Sequence, residues 1–238
     1  MKRFLALILI TASLCTMPAW PAADAALPRR VEIEFAVYLG SMRIGEGRDR
    51  FEHDGRTYRI ASESKTVGIA GALYRMSILR EVQGRMTAAG LRPETYAETH
   101  NGKPKRSVRF DWERKQATLF NGEKSRVVAL PEGTWDTTSF GYNFAFFRPQ
   151  SDELRVNLTD GRRISDYRYA VLSRQPLETE IGTLDTMHVK RVQDADDERA
   201  FEVWLAVDRH YAPVRIRYTD KKGTVFDSVV TKLTFAAS

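Results

Sequence analysis

The sequence predicts a mainly β protein: a large antiparallel curved sheet or open barrel with one short helix packed over it. Three observations carry this. Short runs of alternating apolar and polar residues fill most of positions 31–235, the period-two pattern of strands with one buried face. Turn signals such as Asn101-Gly102, Asn121-Gly122 and Asp160-Gly161 separate these runs at near-regular spacing, as in hairpin meanders. A convincing helical period occurs once, in residues 136–147. Many short strands so spaced build barrels or strongly curved sheets.

The elements follow in order. Residues 31–39 place Val31, Ile33, Phe35, Val37 and Leu39 on one face, with Glu32 and Glu34 on the other. Gly40-Ser41 turns the chain, and residues 42–51 return with Gly45 and Gly47 marking a bulge or a close approach. His53-Asp54-Gly55 leads into residues 56–67, completing a three-strand meander. Residues 68–73 are apolar and glycine-bearing, which predicts a loop or short helix over a sheet edge. A long strand spans 74–88, and Leu91-Arg92-Pro93 opens another segment. Val108, Phe110 and Trp112 then alternate with Arg109 and Asp111, and 127–130 follows the Asn121-Gly122 turn. Asp136 is placed to cap the helix, with Trp135 stapling onto Phe140. Phe140, Phe144 and Phe147 share a helical face, and Pro149 ends it. Strands at 154–158, 163–172, 177–181, 183–192, 201–207, 214–219 and 225–235 complete the chain. No linker or low-complexity tract interrupts it, so residues 26–238 are expected to form a single β-rich domain.

The first twenty-five residues read as a leader. Met1-Lys2-Arg3 is basic, residues 4–14 are apolar, and Ala23-Asp24-Ala25 has a small-x-small ending. That is a secretory signal peptide, cleaved after Ala25 and too short to span a membrane. The expected location is the periplasm, with no transmembrane span in the mature chain. The sole cysteine, Cys15, falls inside the leader, so the mature chain has neither disulfide nor thiolate ligand. A lipoprotein leader would need a small residue just before Cys15, where Leu14 stands. The formal charge is +6, spread along the chain. A mild positive field of this kind suits anionic headgroups or acidic glycans, although solubilising charge on exposed strand faces is the simpler account. Export argues against nucleic acid as a partner.

The motifs of catalysis are missing. There is no G-x-S-x-G, H-E-x-x-H or P-loop pattern. His53, His100, His188 and His210 are scattered, with no pair at a helical ligand spacing, so no metal and no cofactor is expected. Asp194, Asp196, Asp197 and Glu198 read as a solvated hairpin tip. Asp111 and Asp136 are carboxylates near aromatic residues, but nothing in the spacing brings them together, and no catalytic residue is assigned.

An ordered series of small motifs spans nearly the whole mature chain: Gly45-Glu46-Gly47, Thr66-Val67-Gly68, Leu91-Arg92-Pro93, Phe110-Asp111-Trp112, residues 130–136 (LPEGTWD), Asp160-Gly161-Arg162, Ile181-Gly182-Thr183, Val203-Trp204-Leu205 and Pro213-Val214-Arg215-Ile216. In this the sequence resembles the domain of unknown function 3108 family of exported bacterial proteins. The resemblance implies a β-rich envelope protein and supplies no catalytic residues.

The expected function is therefore a periplasmic binding or envelope-maintenance protein. Its most concrete form holds a lipid or other amphipathic envelope molecule in an aromatic-lined cavity. Trp112, Phe140, Phe144, Phe147 and Trp204 are the candidate lining, with core packing as the competing role. Two alternatives stand beside it: an interaction scaffold for an envelope protein, using free strand edges, and a carboxylate-dependent glycan hydrolase.

Overall fold

The computed structural model describes residues 27–147, 149, 151–193 and 199–236. The leader, Cys15 and the acidic cluster at 194–198 lie outside the described residues. The fold is mainly β, one open sheet of fifteen strands with two short helices. The strands are β1 (Arg30–Leu39), β2 (Met42–His53), β3 (Thr57–Thr66), β4 (Ser77–Thr87), β5 (Gly90–His100), β6 (Lys103–Asp111), β7 (Gln116–Asn121) and β8 (Lys124–Ala129), then β9 (Trp135–Asp136), β10 (Glu153–Thr159), β11 (Ile164–Thr179), β12 (Gly182–Arg191), β13 (Ala200–Ala206), β14 (Ala212–Thr219) and β15 (Val225–Ala236). The helices are α1 (Gly68–Leu73) and α2 (Phe140–Asn143).

The spatial order runs β8 back to β1, then β15 back to β9. The chain meanders outward from β1 to β8, crosses to the opposite edge, and meanders back until β15 pairs with β1. Every neighbouring pair is antiparallel except the short β9–β10 contact. The sheet is rolled, so its two ends approach. Arg126 Nη2 on β8 donates to the Arg162 carbonyl in the β10–β11 turn at 2.5 Å, and Arg106 Nη1 on β6 reaches Asp160 Oδ2 at 3.4 Å.

The alternation read from the sequence is the alternation of burial. Val31, Ile33 and Phe35 are buried along β1. A row of direct cross-strand partners, Phe51–Ile60–Val82–Tyr96–Val108–Leu119, carries the concave core from β2 to β7. The expected irregularity near Gly45 is a register shift between Val37 and Tyr38. It is also a close approach, because a Cβ at Gly45 would stand 2.8 Å from the Lys65 carbonyl oxygen.

Two expectations change. The strands expected at 163–172 and 177–181 are one sixteen-residue strand, β11, kept continuous across a register shift between Val171 and Arg174. The shift disturbs the alternation locally, which is why the sequence reads as two pieces. The helix expected over 136–147 is one turn, Phe140–Asn143. Asp136 belongs to β9, and its Oδ1 accepts from the N–H groups of Thr138 and Ser139 at 2.9 Å each. It thereby closes a turn before the helix instead of capping it. The segment also does not lie over the sheet. It passes through the concave interior, and all four α2 residues are buried. A segment buried on every side has no polar face to hold a helical period, so aromatic spacing alone did not set its length.

Candidate functional site

The interior of the rolled sheet is where a binding cavity was expected, and residues 135–147 occupy it. Phe140 meets Tyr169 of β11 at 4.6 Å between ring centroids and Phe201 of β13 at 5.8 Å. Trp135 stands edge-on to Phe140, Phe144 and Phe147 at 6.0–6.3 Å. Tyr142 points the opposite way and stacks on Phe51 of β2 at 5.4 Å. Gly141 fits where a Cβ would come within 3.2 Å of Pro213 on β14. The apolar space left beside Tyr142, between Val31, Phe51, Ala212 and Phe235, is about 10 Å³, room for no more than one water.

Polar bonds fix this plug to β2 and β5. Asn143 Oδ1 accepts the Leu91 N–H of β5 at 2.8 Å, and Asn143 Nδ2 donates to the Ser139 carbonyl at 3.2 Å. Ser139 Oγ donates to Asp136 Oδ2 at 2.6 Å. Burial pushes the Asp136 carboxyl above its ordinary value, against those bonds from Ser139 and Thr138. The Tyr142 hydroxyl donates to Asp49 Oδ2 at 3.1 Å. Burial also raises the Asp49 carboxyl, opposed by bonds from Ser62 and Tyr142.

Asp49 begins a second feature that sequence reasoning missed. Asp49, Ser62, Arg80, Glu98, Arg106 and Asn121 are successive cross-strand partners from β2 to β7, a polar row on the concave face beside the apolar one. Glu98 is its centre and is 2 % exposed. It accepts from Arg80 Nε at 2.9 Å, Arg106 Nε at 3.0 Å and Nη2 at 2.7 Å, His100 Nε2 at 2.7 Å and the Tyr96 hydroxyl at 3.1 Å. Burial alone would raise this carboxyl; the charges of Arg80 and Arg106, with the bonds from Arg106 and His100, outweigh it and hold Glu98 at about 2. The signal was legible in part. Glu98 is in phase with buried Tyr96, and Arg106 with Val108 and Phe110, so both are charged residues at positions of the buried set.

The five candidate lining residues lie in three places. Phe140, Phe144 and Phe147 pack together around Trp135. Trp204 is on another surface of the sheet, between the His188 ring, stacked at 4.1 Å, and the Arg215 guanidinium at 4.9 Å. These three are direct neighbours across β12, β13 and β14. Trp112 stacks on Phe110 at 6.0 Å, lies under Arg92, and donates its indole N–H to the Pro93 carbonyl at 2.7 Å. The two carboxylates singled out in sequence are each engaged locally. Asp111 accepts from the Arg114 N–H at 2.9 Å at the start of the β6–β7 turn, and Asp136 is fully buried in its own turn. Among the described residues, no group of three or more His, Asp or Glu is arranged to hold a metal ion.

Comparison with solved structures recovers the architecture. A β-barrel-like protein of the domain of unknown function DUF1849 from Brucella abortus superposes with a TM-score of 0.58 at 11% identity, covering 89% of this chain and 100% of that one. That likeness concerns the fold alone. A protein described as a "putative lipoprotein" from Parabacteroides distasonis ATCC 8503 scores 0.38 at 10% identity, covering 87% of this chain and 97% of its own. One described as a "putative exported protein with YmcC-like fold" from Bacteroides fragilis NCTC 9343 also scores 0.38 at 10% identity, covering 86% and 95%. Scores of that size carry no argument. No curated protein matches the chain. The family resemblance is decided by a model described as "Protein of unknown function (DUF3108)", which matches residues 34–231 from within β1 to within β15, and the chain belongs to that family.

Proposed function

We propose that the chain is an exported bacterial envelope protein that binds through its exterior, with its interior filled by its own residues 135–147. One observation carries this reading: all of Phe140–Asn143 is buried in the concavity, and the apolar space beside it is about 10 Å³. An acyl chain needs a cavity of several hundred Å³, so a lipid held inside would have to displace the plug. Doing so would break the Tyr142–Asp49 and Asn143–Leu91 bonds. The amphipathic partner expected from the sequence is then met at the surface, and Phe140, Phe144 and Phe147 act as packing. Export rests on the basic-apolar-small leader in residues 1–25.

The test is native purification from the cell envelope, followed by denaturation, solvent extraction and mass spectrometry, with fractionation of the host cells. We expect a chain cleaved near Ala25 in the periplasmic fraction and no stoichiometric lipid. One lipid released per chain, or an uncleaved chain in the cytosol, would overturn the reading. The scaffold alternative draws on the free edge of β8, but Lys124 and Arg126 on that strand discourage pairing with another strand.

A further inference from the structure

Ten large apolar side chains are exposed among the described residues, and seven sit at one end of the rolled sheet. Leu39 and Met42 flank the β1–β2 turn, while Ile69, Leu73 and Tyr74 come from α1 and the residue after it. Ile69 and Leu73 are 76% and 83% exposed, the two highest values of the ten. The two tips are joined, since the Val67 N–H donates to the Ile44 carbonyl at 2.9 Å. Tyr218 and Val225 lie next to them, because Phe226 pairs with both Leu39 and Tyr218.

Helix α1 is the anomaly. Its sequence, GIAGAL, is entirely apolar, and none of its residues is buried. A six-residue apolar helix with no buried residue gains little stability from packing. The structure holds it out nonetheless: the Thr66 hydroxyl donates to the Tyr74 carbonyl at 2.8 Å and accepts the Met76 N–H at 3.0 Å, tying the base of the excursion.

The charge around α1 is one-sided. No carboxylate occurs from Ser64 to Arg80, while Lys65, Arg75 and Arg80 are in that stretch. Arg43 follows Met42, and the β5–β6 hairpin brings exposed Lys103 to the same end. That hairpin is fastened to the α1 connection by Asn101, whose Oδ1 accepts the Ser77 N–H at 2.8 Å. Glu46 lies 2.9 Å from Lys65 and 3.8 Å from Arg43, and Asp220, between Tyr218 and Val225, accepts the Lys222 and Thr224 N–H groups of its own turn. Among the described residues, Arg75 and Lys103 have no acidic partner.

We infer that this end of the molecule docks on an anionic lipid bilayer, with Ile69, Leu73 and Met42 entering the interface, Tyr74 at headgroup level, and Arg43, Arg75 and Lys103 on the phosphates. Apolar tips ringed by cations match a bilayer surface, where aromatic and long cationic side chains bridge water and acyl region. A protein partner would need a flat or grooved face, and these residues protrude at the ends of connections. The inference rests on the reading that the chain binds through its exterior, and it names the surface and the partner.

The test is flotation of the purified chain with phosphatidylethanolamine vesicles containing a quarter phosphatidylglycerol, beside phosphatidylcholine vesicles. We expect binding to the first, weakened at least tenfold in 0.5 M salt and on the second. The double substitution Ile69→Ser with Leu73→Ser should reduce binding at least tenfold while leaving the thermal midpoint unchanged, because neither side chain is buried. Arg75→Glu with Lys103→Glu should do the same by charge. No flotation of the wild-type chain, or equal flotation of the Ile69/Leu73 variant, would overturn the inference. So would a wild-type dimer that floats on neither vesicle and dissociates in that variant, since α1 would then cover a second copy. Failure of the exterior-binding reading is separate: it would appear as lipid extracted from vesicle-free protein, and the α1 substitutions would not remove it.

Discussion

Replacing Glu98 by glutamine removes one negative charge and almost no volume, leaving Arg80 and Arg106 facing each other across β4, β5 and β6 without their shared anion. Holding that carboxyl at about 2 against an ordinary value of 4.5 corresponds to about 3 kcal/mol of stability at neutral pH. Arg80 is a third exposed and is therefore screened, which trims the figure to about 2–3 kcal/mol. Removing one partner from a buried ion pair costs a similar amount, about 3–5 kcal/mol. The sign follows from the direction. A carboxyl held below its unfolded value contributes fully above that value and loses the contribution as pH falls towards the folded one. The gap between wild type and Glu98→Gln should therefore be full at pH 7, roughly half at pH 3, and nearly gone at pH 2. Equilibrium urea unfolding of both proteins at each pH measures it. A gap below about 1 kcal/mol at pH 7, or one of equal size at pH 3 and pH 7, would refute the idea that Glu98 organises the polar row.

Asp49 should behave in the opposite sense. Its carboxyl is raised by burial, so its favourable contribution is complete below the unfolded value of 3.8 and declines as pH rises. Asp49→Asn should stabilise the protein more at pH 8 than at pH 4, and a gap that grows on acidification would contradict the assignment. Phe144→Ala opens a cavity in the plug, where the side chain is fully buried between Trp135 and Phe140. A loss of about 3–5 kcal/mol is expected in denaturant titration, and a loss below about 1 kcal/mol would mean that the plug is loosely held. Gly84→Ala places a Cβ 2.8 Å from both Pro93 Cα and Tyr58 Cε1. Neither neighbour can yield without moving a strand, so a cost of about 3 kcal/mol or more is expected. An unchanged melting temperature would show that β4 and β5 are free to shift.

Much of the sheet was legible because its determinants are local. The alternation of Val31, Ile33 and Phe35 with Glu32 and Glu34 needs only the period of a strand and one wet face. Gly102 and Gly122 mark their hairpins because both occupy the left-handed backbone region, at φ 74° and 62°. What was not legible depends on register between distant strands. Arg80, Glu98 and Arg106 are eighteen and eight residues apart, and only the pairing of β4, β5 and β6 brings them together. The same holds for Trp204, whose partners His188 and Arg215 come from the strands on either side. The aromatic run at 140–147 was correctly singled out as buried. Its length and position as a helix were misjudged because spacing cannot tell a segment packed on a sheet from one threaded through it.

The pairing of the first and last strands bears on how the chain reaches this fold. Arg30 faces Ala236 and Leu39 faces Phe226, so the β1–β15 ladder closes a loop of roughly 200 residues, against roughly fifteen for a neighbouring hairpin, at an entropic cost about 2 kcal/mol higher. The seven hairpins from β1 to β8 can form early from local contacts, as can those from β10 to β15. The ladder that joins them cannot form until β15 has been made. Until then one side of β1, a ten-residue strand carrying Val31, Ile33 and Phe35, stands with its amides and carbonyls unmatched and available to any other extended chain. Joining the two ends covalently and opening the chain at Glu132-Gly133, in the exposed connection between the edge strands β8 and β9, would leave every ladder local, and refolding of that permutant should be faster while its stability is little changed.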